Sequence, residues 1–543
     1  MSYFETIVKH FLPQIQWDKK LFPVPWGEAR SIYDSIVEYR VAHPGLRNIA
    51  ESMVLPDAES DEDGLRWVAG GLDGSMGHHG AYGEDVIMAR RVARSLSRVM
   101  RNPGEVRVRE LYELMESRKA LSYVDPLLEY LIDDQQFYSE RLHDIMRFFA
   151  TGSPNREVVK TAIAVLGLFA DDNDAELFST IGMHEEFTLY AAIALGNVVV
   201  EPDAALWDLA KEVDGWGRIH AVERLTGTDN YRIRHWMLRE GYRNSINDAY
   251  LAYTCATTAD LHADLRRPEV DEELLIGAGD IIDALIRARE SDFLDIFDYP
   301  DGAECVELYL GHVSPTQARL GEFLNVQTIL GFLRKRHINW ELRADQGWNS
   351  YRRFRMIKEA DLFLADPIWP TLIRSAITSS NEMEFGCGIL AAPYLGIDTW
   401  PEFFRRLKDG EAYWGQVMQT DDETRVAQVL EVAHQEFELE RLGSGPALEL
   451  GMGVQFVEHR YLDSIVYELR RFPGMGINLI KVGLCSPVVK NRVTALRSLA
   501  TWGPEGLSKE LVEFVRSVQT EEPDKELRAQ FGRLLRGKAI NRF

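Results

Sequence analysis

Three short segments decide the fold: TAIAVLG at Thr161–Gly167, YAAIALG at Tyr190–Gly196 and HAVERLTG at His220–Gly227. Their leucines, Leu166, Leu195 and Leu225, follow one another at intervals of 29 and 30 residues. Alanine and leucine are strong helix formers, and the small side chains let neighbouring helices approach closely. Between the segments lie AELFSTIG (Ala175–Gly182) and AALWDLAKEV (Ala204–Val213), each long enough for a short helix of its own. A helix pair recurring at this period predicts a stack in which each pair buries its apolar stripe against the next.

The same pattern closes the chain. Val493, Leu496 and Leu499 mark one helical face, which Gly503-Pro504 stops. Leu507, Leu511, Phe514 and Val518 mark a second face; after Pro523, Leu527, Phe531 and Leu534 mark a third. Glycine just past one helix and proline at the start of the next are the expected punctuation. Helices joined by turns this short must pack as antiparallel neighbours.

The 151–240 stretch and SPVVKNRVTALRSLATWGPEGLSKELVEFV (Ser486 to Val515) together resemble short HEAT repeats, with Arg492 near the start of the first helix of the second segment. The resemblance implies an all-α fold, a HEAT-like α-solenoid of antiparallel helix pairs. It also implies a scaffold or binding surface, but identifies no activity, because one fold hosts many functions. The expected organisation is an N-terminal helical region over 1–150, HEAT-like repeats over 151–440 that become irregular after about residue 300, and C-terminal helix pairs over 441–543.

The N-terminal region is interrupted from Pro56 to Gly83. An acidic run (Asp57, Glu59, Asp61, Glu62, Asp63) is followed there by Gly64, Gly70, Gly71, Gly74, Gly77, Gly80 and Gly83. Glycine is entropically costly to order and like charges repel, so this insertion reads as a long loop and the most protease-sensitive internal segment.

Composition narrows the function. The hydrophobic fraction of 45% and the charged fraction of 27% are those of a folded globular chain. A net charge of −24 repels phosphate backbones over most of the surface. Cys255, Cys305, Cys387 and Cys485 lie too far apart for a disulfide framework or a structural zinc motif, which points to a reducing compartment. The opening MSYFETIVKHFLPQIQW lacks the apolar run of a secretory signal, and the longest apolar stretches are too short to span a membrane. The cytoplasm is the expected location.

Motif spacing excludes several chemistries. His184 is followed by Glu185 but has no second histidine one turn on, so there is no H-E-x-x-H. An EF-hand loop begun at Glu59 would end on Gly70, where a bidentate glutamate is needed. GRLLRGKA at Gly532–Ala539 lacks the Ser or Thr that completes a P-loop. Gly-x-Gly pairs lack their third glycine, and no G-x-S-x-G elbow is present. Motif spacing assigns neither a metal nor a cofactor.

Three constellations remain. The first is the glycine-rich segment and the helix after it. Ser75, His78, His79, Arg90 and Arg94 are candidates for an anion or other ligand, since a glycine loop at a helix N-terminus can cradle an anion. Asp73, His78, His79, Glu84 and Asp85 could alternatively ligate a metal. The second is GWGRIHAVERL with DNYRIRHWMLREGYRN, where Trp216, Arg218, His220, Arg224, Trp236 and Arg239 form a candidate partner-binding ridge. Trp and Arg are the residues enriched at binding hot spots. Their structural alternative is packing between repeats, with the arginines paired to Glu223 and Glu240.

The third is Arg334–Lys358, basic and interleaved with Trp340, Trp348, Tyr351 and Phe354. That mixture suits single-stranded nucleic acid or an acidic peptide, or else pairing with the protein's own carboxylates. The reading that follows is a cytoplasmic interaction scaffold for a protein or peptide partner. Two alternatives stand beside it: a metal-assisted hydrolase near the glycine-rich segment, and a nucleic-acid binder using a local basic groove.

Overall fold

The computed structural model describes residues 22–58, 68–80, 83–133, 140–170, 172–289, 292–315 and 319–540. Its regular structure is helical: 69% is helix, and no strand is present among the described residues. Strand pairing is limited to an isolated parallel bridge between Glu449 and Val488. No helix among the described residues is long and apolar enough to cross a membrane.

The described residues divide into two compact units, the first running to Asp366 and the second beginning at Pro367. In the first unit the three decisive segments each form a helix. TAIAVLG lies in Arg156–Phe169, YAAIALG in Glu185–Val198, and HAVE closes Gly215–Glu223. Arg156–Phe169 starts where Asn155 Oδ1 accepts the free amides of Glu157 and Val158 at 2.9 and 3.2 Å. As far as Leu320–Leu333, each helix in this row packs on the α-helix next but one; that last one packs on its immediate successor. Arg156–Phe169 meets Glu185–Val198, which meets Gly215–Glu223; Ala249–Thr258, Glu272–Ala288, Leu320–Leu333 and Ser350–Leu364 continue the sequence. Ala162, Ile163, Leu166, Ala191, Ala194, Leu195, Ala221, Val222 and Leu225 are fully buried along it.

The second unit repeats the scheme with different punctuation. Val489–Trp502 ends at Gly503, whose φ of +71° few side chains would tolerate. Ser508 caps Lys509–Glu521 and Asp524 caps Lys525–Leu535. Val489–Trp502 also lies against Val457–Leu469, and polar side chains pin the two together. Asn491 Nδ2 donates to His459 O (2.8 Å), Ser498 Oγ to Val466 O (2.7 Å) and Trp502 Nε1 to Leu469 O (2.8 Å).

The loop expected over Pro56–Gly83 is corrected in part. Gly71–His79 is a helix, despite its glycines, because it is pressed into the first unit. Gly70 N donates to Glu186 Oε2 (3.0 Å), and Asp73 is buried against Lys160. Asp57 pairs with Arg156 through Oδ1 at 3.0 Å, so the start of the acidic run is also tied down. The remaining acids of that run, Glu59 to Asp63, lie outside the described residues.

Candidate functional site

A buried lysine sets the position of the site. Lys160 lies in the middle of Arg156–Phe169 and is only 1% exposed. Its Nζ lies 2.7 Å from Asp73 Oδ2 and 2.6 Å from Glu186 Oε1, and Tyr190 Oη donates to Asp73 Oδ2 at 3.2 Å. Burial works against charge on Lys160, but the surrounding carboxylates overcome it and hold its pKa above the ordinary value. Burial also pushes Asp73 up while Lys160 pulls it back. Glu186 is driven up by burial, yet Lys160, Arg156 and the Gly70 amide hold it down at about 2. This network clamps the Gly71–His79 helix onto Arg156–Phe169 and Glu185–Val198.

The clamped helix then meets Gly215–Glu223. Gly74 makes that approach possible: a Cβ there would lie 2.2 Å from Trp216 Cδ2. Gly74→Ala should therefore cost about 1–3 kcal/mol, the usual penalty of overpacking. Chemical denaturation would show it, and an unchanged midpoint would mean that the indole is free to move aside.

Around Trp216 the structure gathers a pocket of imidazole and aromatic groups. Trp216 stacks on His220 with centroids 6.0 Å apart and meets His78 at 5.5 Å. Tyr250 packs edge-on to Trp216 at 4.9 Å and to Phe293 at 4.5 Å, and its hydroxyl lies 2.9 Å from His79 Nε2. His78 Nε2 is 3.4 Å from Glu223 Oε1, and His220 Nδ1 is 3.9 Å from Glu223 Oε2. His220 is 4% exposed and its Nε2 has no hydrogen-bond partner. Burial, aided by Arg224 and His78, holds the His220 pKa down at about 3; burial, His79 and Arg224 also lower that of His78. Burial pushes Glu223 up to about 7, against the pull of Arg224.

The other sequence-predicted residues are placed elsewhere or turned inward. Arg218 Nε donates to the carbonyls of Ala210 (3.2 Å) and Val213 (3.1 Å), and its Nη1 to that of Arg243 (3.2 Å). Arg224 Nη1 donates to His220 O at 2.8 Å. Trp236 is buried edge-on to Trp207, and its Nε1 donates to Glu240 Oε2 at 3.3 Å. Arg239, 6% exposed, grips Asp271, the N-cap of Glu272–Ala288, with Nη2 2.5 Å from Oδ2. Trp216, Trp236, His220 and Arg239 are thus packing groups between successive helices, with little surface left for a partner.

The anion cradle meets a similar difficulty. Asp85 occupies the N-cap of Val86–Arg101, its Oδ1 accepting from Met88 N (2.8 Å), so a carboxylate sits where an anion would bind. Ser75, His78 and His79 belong to the Gly71–His79 helix. Arg90 lies on Tyr130, and Arg94 is exposed.

Three arginines of the basic stretch from Arg334 are paired with the protein's own carboxylates. Arg334 reaches Asp361 at 2.6 Å, Arg352 reaches Glu307 at 2.9 Å and Arg355 reaches Glu307 at 3.3 Å. Trp348 is 1% exposed among Phe297, Phe332 and Trp340. Trp348 is thus closed off from a partner, whereas Tyr351 and Phe354 remain exposed, at 71% and 59%.

Sequence reasoning passed over Glu223 and Tyr250 as site members. The one available signal was the i, i+3 spacing of His220 and Glu223, which places both on one helix face. No family model, curated protein or solved structure matches the chain.

Proposed function

We propose that this protein is an interaction scaffold: stacked helix pairs of the HEAT type that hold an extended segment of a protein partner. Support for the stack comes from the packing of alternate helices from Arg156–Phe169 to Leu320–Leu333, the pattern expected of helix-pair repeats. The observation that carries the binding reading lies in the second unit, away from the tryptophan–arginine segment.

Residues 446–450 lie beside Cys485–Val489 at an isolated parallel bridge. Glu449 N donates to Pro487 O (3.3 Å) and Val489 N to Glu449 O (3.1 Å). In a parallel pairing the backbone groups of adjacent residues alternate in direction, so Leu448 and Leu450 turn theirs to the opposite edge. Leu448 is 63% exposed and Leu450 73%; past the turn at Gly451, Met452 is 43% exposed and Val454, the start of a 3-10 turn, 86%. An unpaired edge lined with apolar side chains is a template for an added strand. The scaffold reading therefore takes an extended, apolar peptide segment as its ligand.

The test is Leu448→Asp with Leu450→Asp in the full chain. Both side chains project into solvent, so stability should change by less than roughly 0.5 kcal/mol. Partners captured by the wild type and identified by mass spectrometry should be lost from the variant. Retention of the same partners by a folded variant would remove this edge from the proposal.

A further inference from the structure

We infer that His78, His220 and Glu223 form a binding site for a divalent first-row transition-metal ion of the zinc class. The inference is independent of the scaffold reading and concerns only the first unit. It starts from distance. One ligand atom from each of the three side chains lies within 4.8 Å of the other two. A tetrahedral zinc ion with nitrogen and oxygen ligands at about 2.0–2.1 Å holds its ligand atoms roughly 3.4 Å apart. His78 Nε2 and Glu223 Oε1 are already separated by 3.4 Å. Side-chain adjustments of about 1 Å complete the geometry.

The second argument is the unsatisfied chemistry. His220 is buried, yet its Nε2 has no partner in the protein, and its Nδ1 is 3.9 Å from Glu223, too far for a hydrogen bond. Native structures pair their buried polar groups, so the orphaned Nε2 points to a missing partner. A cation would engage one nitrogen of each imidazole together with the Glu223 carboxylate.

The donor set selects the class of ion. Two imidazole nitrogens and one carboxylate oxygen suit zinc and its neighbours, whereas calcium and magnesium take oxygen ligands. Three protein ligands leave a coordination position for water or a ligand, as in catalytic rather than structural sites. The elements that hold the donors are well anchored. His78 is carried on the helix clamped by Lys160, and Trp216 lies against both imidazole rings. Arg224, whose Nη1 holds the His220 carbonyl, contributes an opposing positive charge.

The experiment uses the full-length protein stripped of metal with a chelator and titrated with Co2+, followed by its visible d–d absorption. A single saturable equivalent with the intense bands of four-coordinate cobalt is expected, displaced by Zn2+. His78→Ala and Glu223→Gln should each weaken binding by about tenfold or more, since even groups that only orient metal ligands contribute 10–100-fold. His79→Ala, which alters the neighbouring imidazole facing Tyr250, should bind as the wild type does. Glu223→Gln removes a carboxyl that is already costly to ionise in place, so this variant should fold, which far-UV circular dichroism would verify. His78 reaches solvent and gives a second variant that does not depend on core packing. The inference is overturned if no saturable equivalent appears, or if the folded His78→Ala and Glu223→Gln variants bind Co2+ as tightly as wild type.

Discussion

Replacing Arg492 by alanine is expected to destabilise the second unit by about 3–5 kcal/mol, the range for removing one member of a buried ion pair. Arg492 and Glu522 are both fully buried. The guanidinium binds Glu522 in two places, Nε to Oε2 at 2.7 Å and Nη2 to Oε1 at 2.8 Å. Its Nη1 donates to the carbonyls of Ser486 (2.7 Å) and Pro487 (3.0 Å), closing the turn before its own helix. Glu522 in turn accepts from Asp524 N at 3.0 Å, beside the cap of the last helix.

One side chain therefore joins two helix starts, and alanine would leave a buried carboxylate without a counterion. Arg492→Lys should recover little, because an ammonium cannot reproduce the forked geometry. Lys490→Ala, which removes an exposed ammonium from the partly buried Asp463, should change stability by less than roughly 1 kcal/mol. Urea denaturation of the full chain reads all three. A loss below about 1 kcal/mol for Arg492→Ala would show that water readily reaches Glu522 and that the pair is not a structural link.

The second large effect is expected at Lys160. Lys160→Met would leave Asp73 and Glu186 buried together without their cation, again at a cost of about 3–5 kcal/mol near neutral pH. The pH dependence gives this prediction its own signature. In the wild type, Glu186 is held at about 2 against an ordinary value of 4.5, so its contribution is present above pH 4.5 and is lost as the pH falls towards 2. In Lys160→Met, Asp73 loses the charge that opposes burial and rises further above its unfolded value, while Glu186 keeps Arg156 and the Gly70 amide but loses its nearest cation. The folded state then binds more protons than the unfolded state, so the variant's deficit should shrink as the pH is lowered from 7 to about 5. Denaturation midpoints at several pH values would decide it. A deficit that stays constant with pH would mean that Lys160 acts through packing alone. The same variant should loosen the Gly71–His79 helix, detectable as faster amide exchange there than in Glu185–Val198.

Helix content and many of the boundaries are written in local sequence. The apolar spacing from Thr161 to Gly227 depends only on which residues share a helix face, and those helices form there. Gly503, Pro504, Ser508 and Asp524 act on their own turns, so the C-terminal helix ends could be read residue by residue. Local reading fails where the stabilising partner is remote. Gly71–His79 has poor intrinsic helix propensity and is held by contacts to Lys160, Glu186 and Trp216. Glycine counting therefore yields a loop where packing makes a helix.

The candidate site divides along the same line. Residue types and helical spacing nominate His78, His220 and the tryptophans, since these are chemical facts of the chain. Their environment is not. That Trp236 and Arg239 turn inward, and that Lys160 is a buried cation, depends on which distant helix covers each face. A helix's periodicity records that one of its faces is apolar but carries no address for the surface that meets it. Only tertiary packing brings His78 of one helix to His220 and Glu223 of another, and only the resulting burial of His220 leaves one of its nitrogens without a partner.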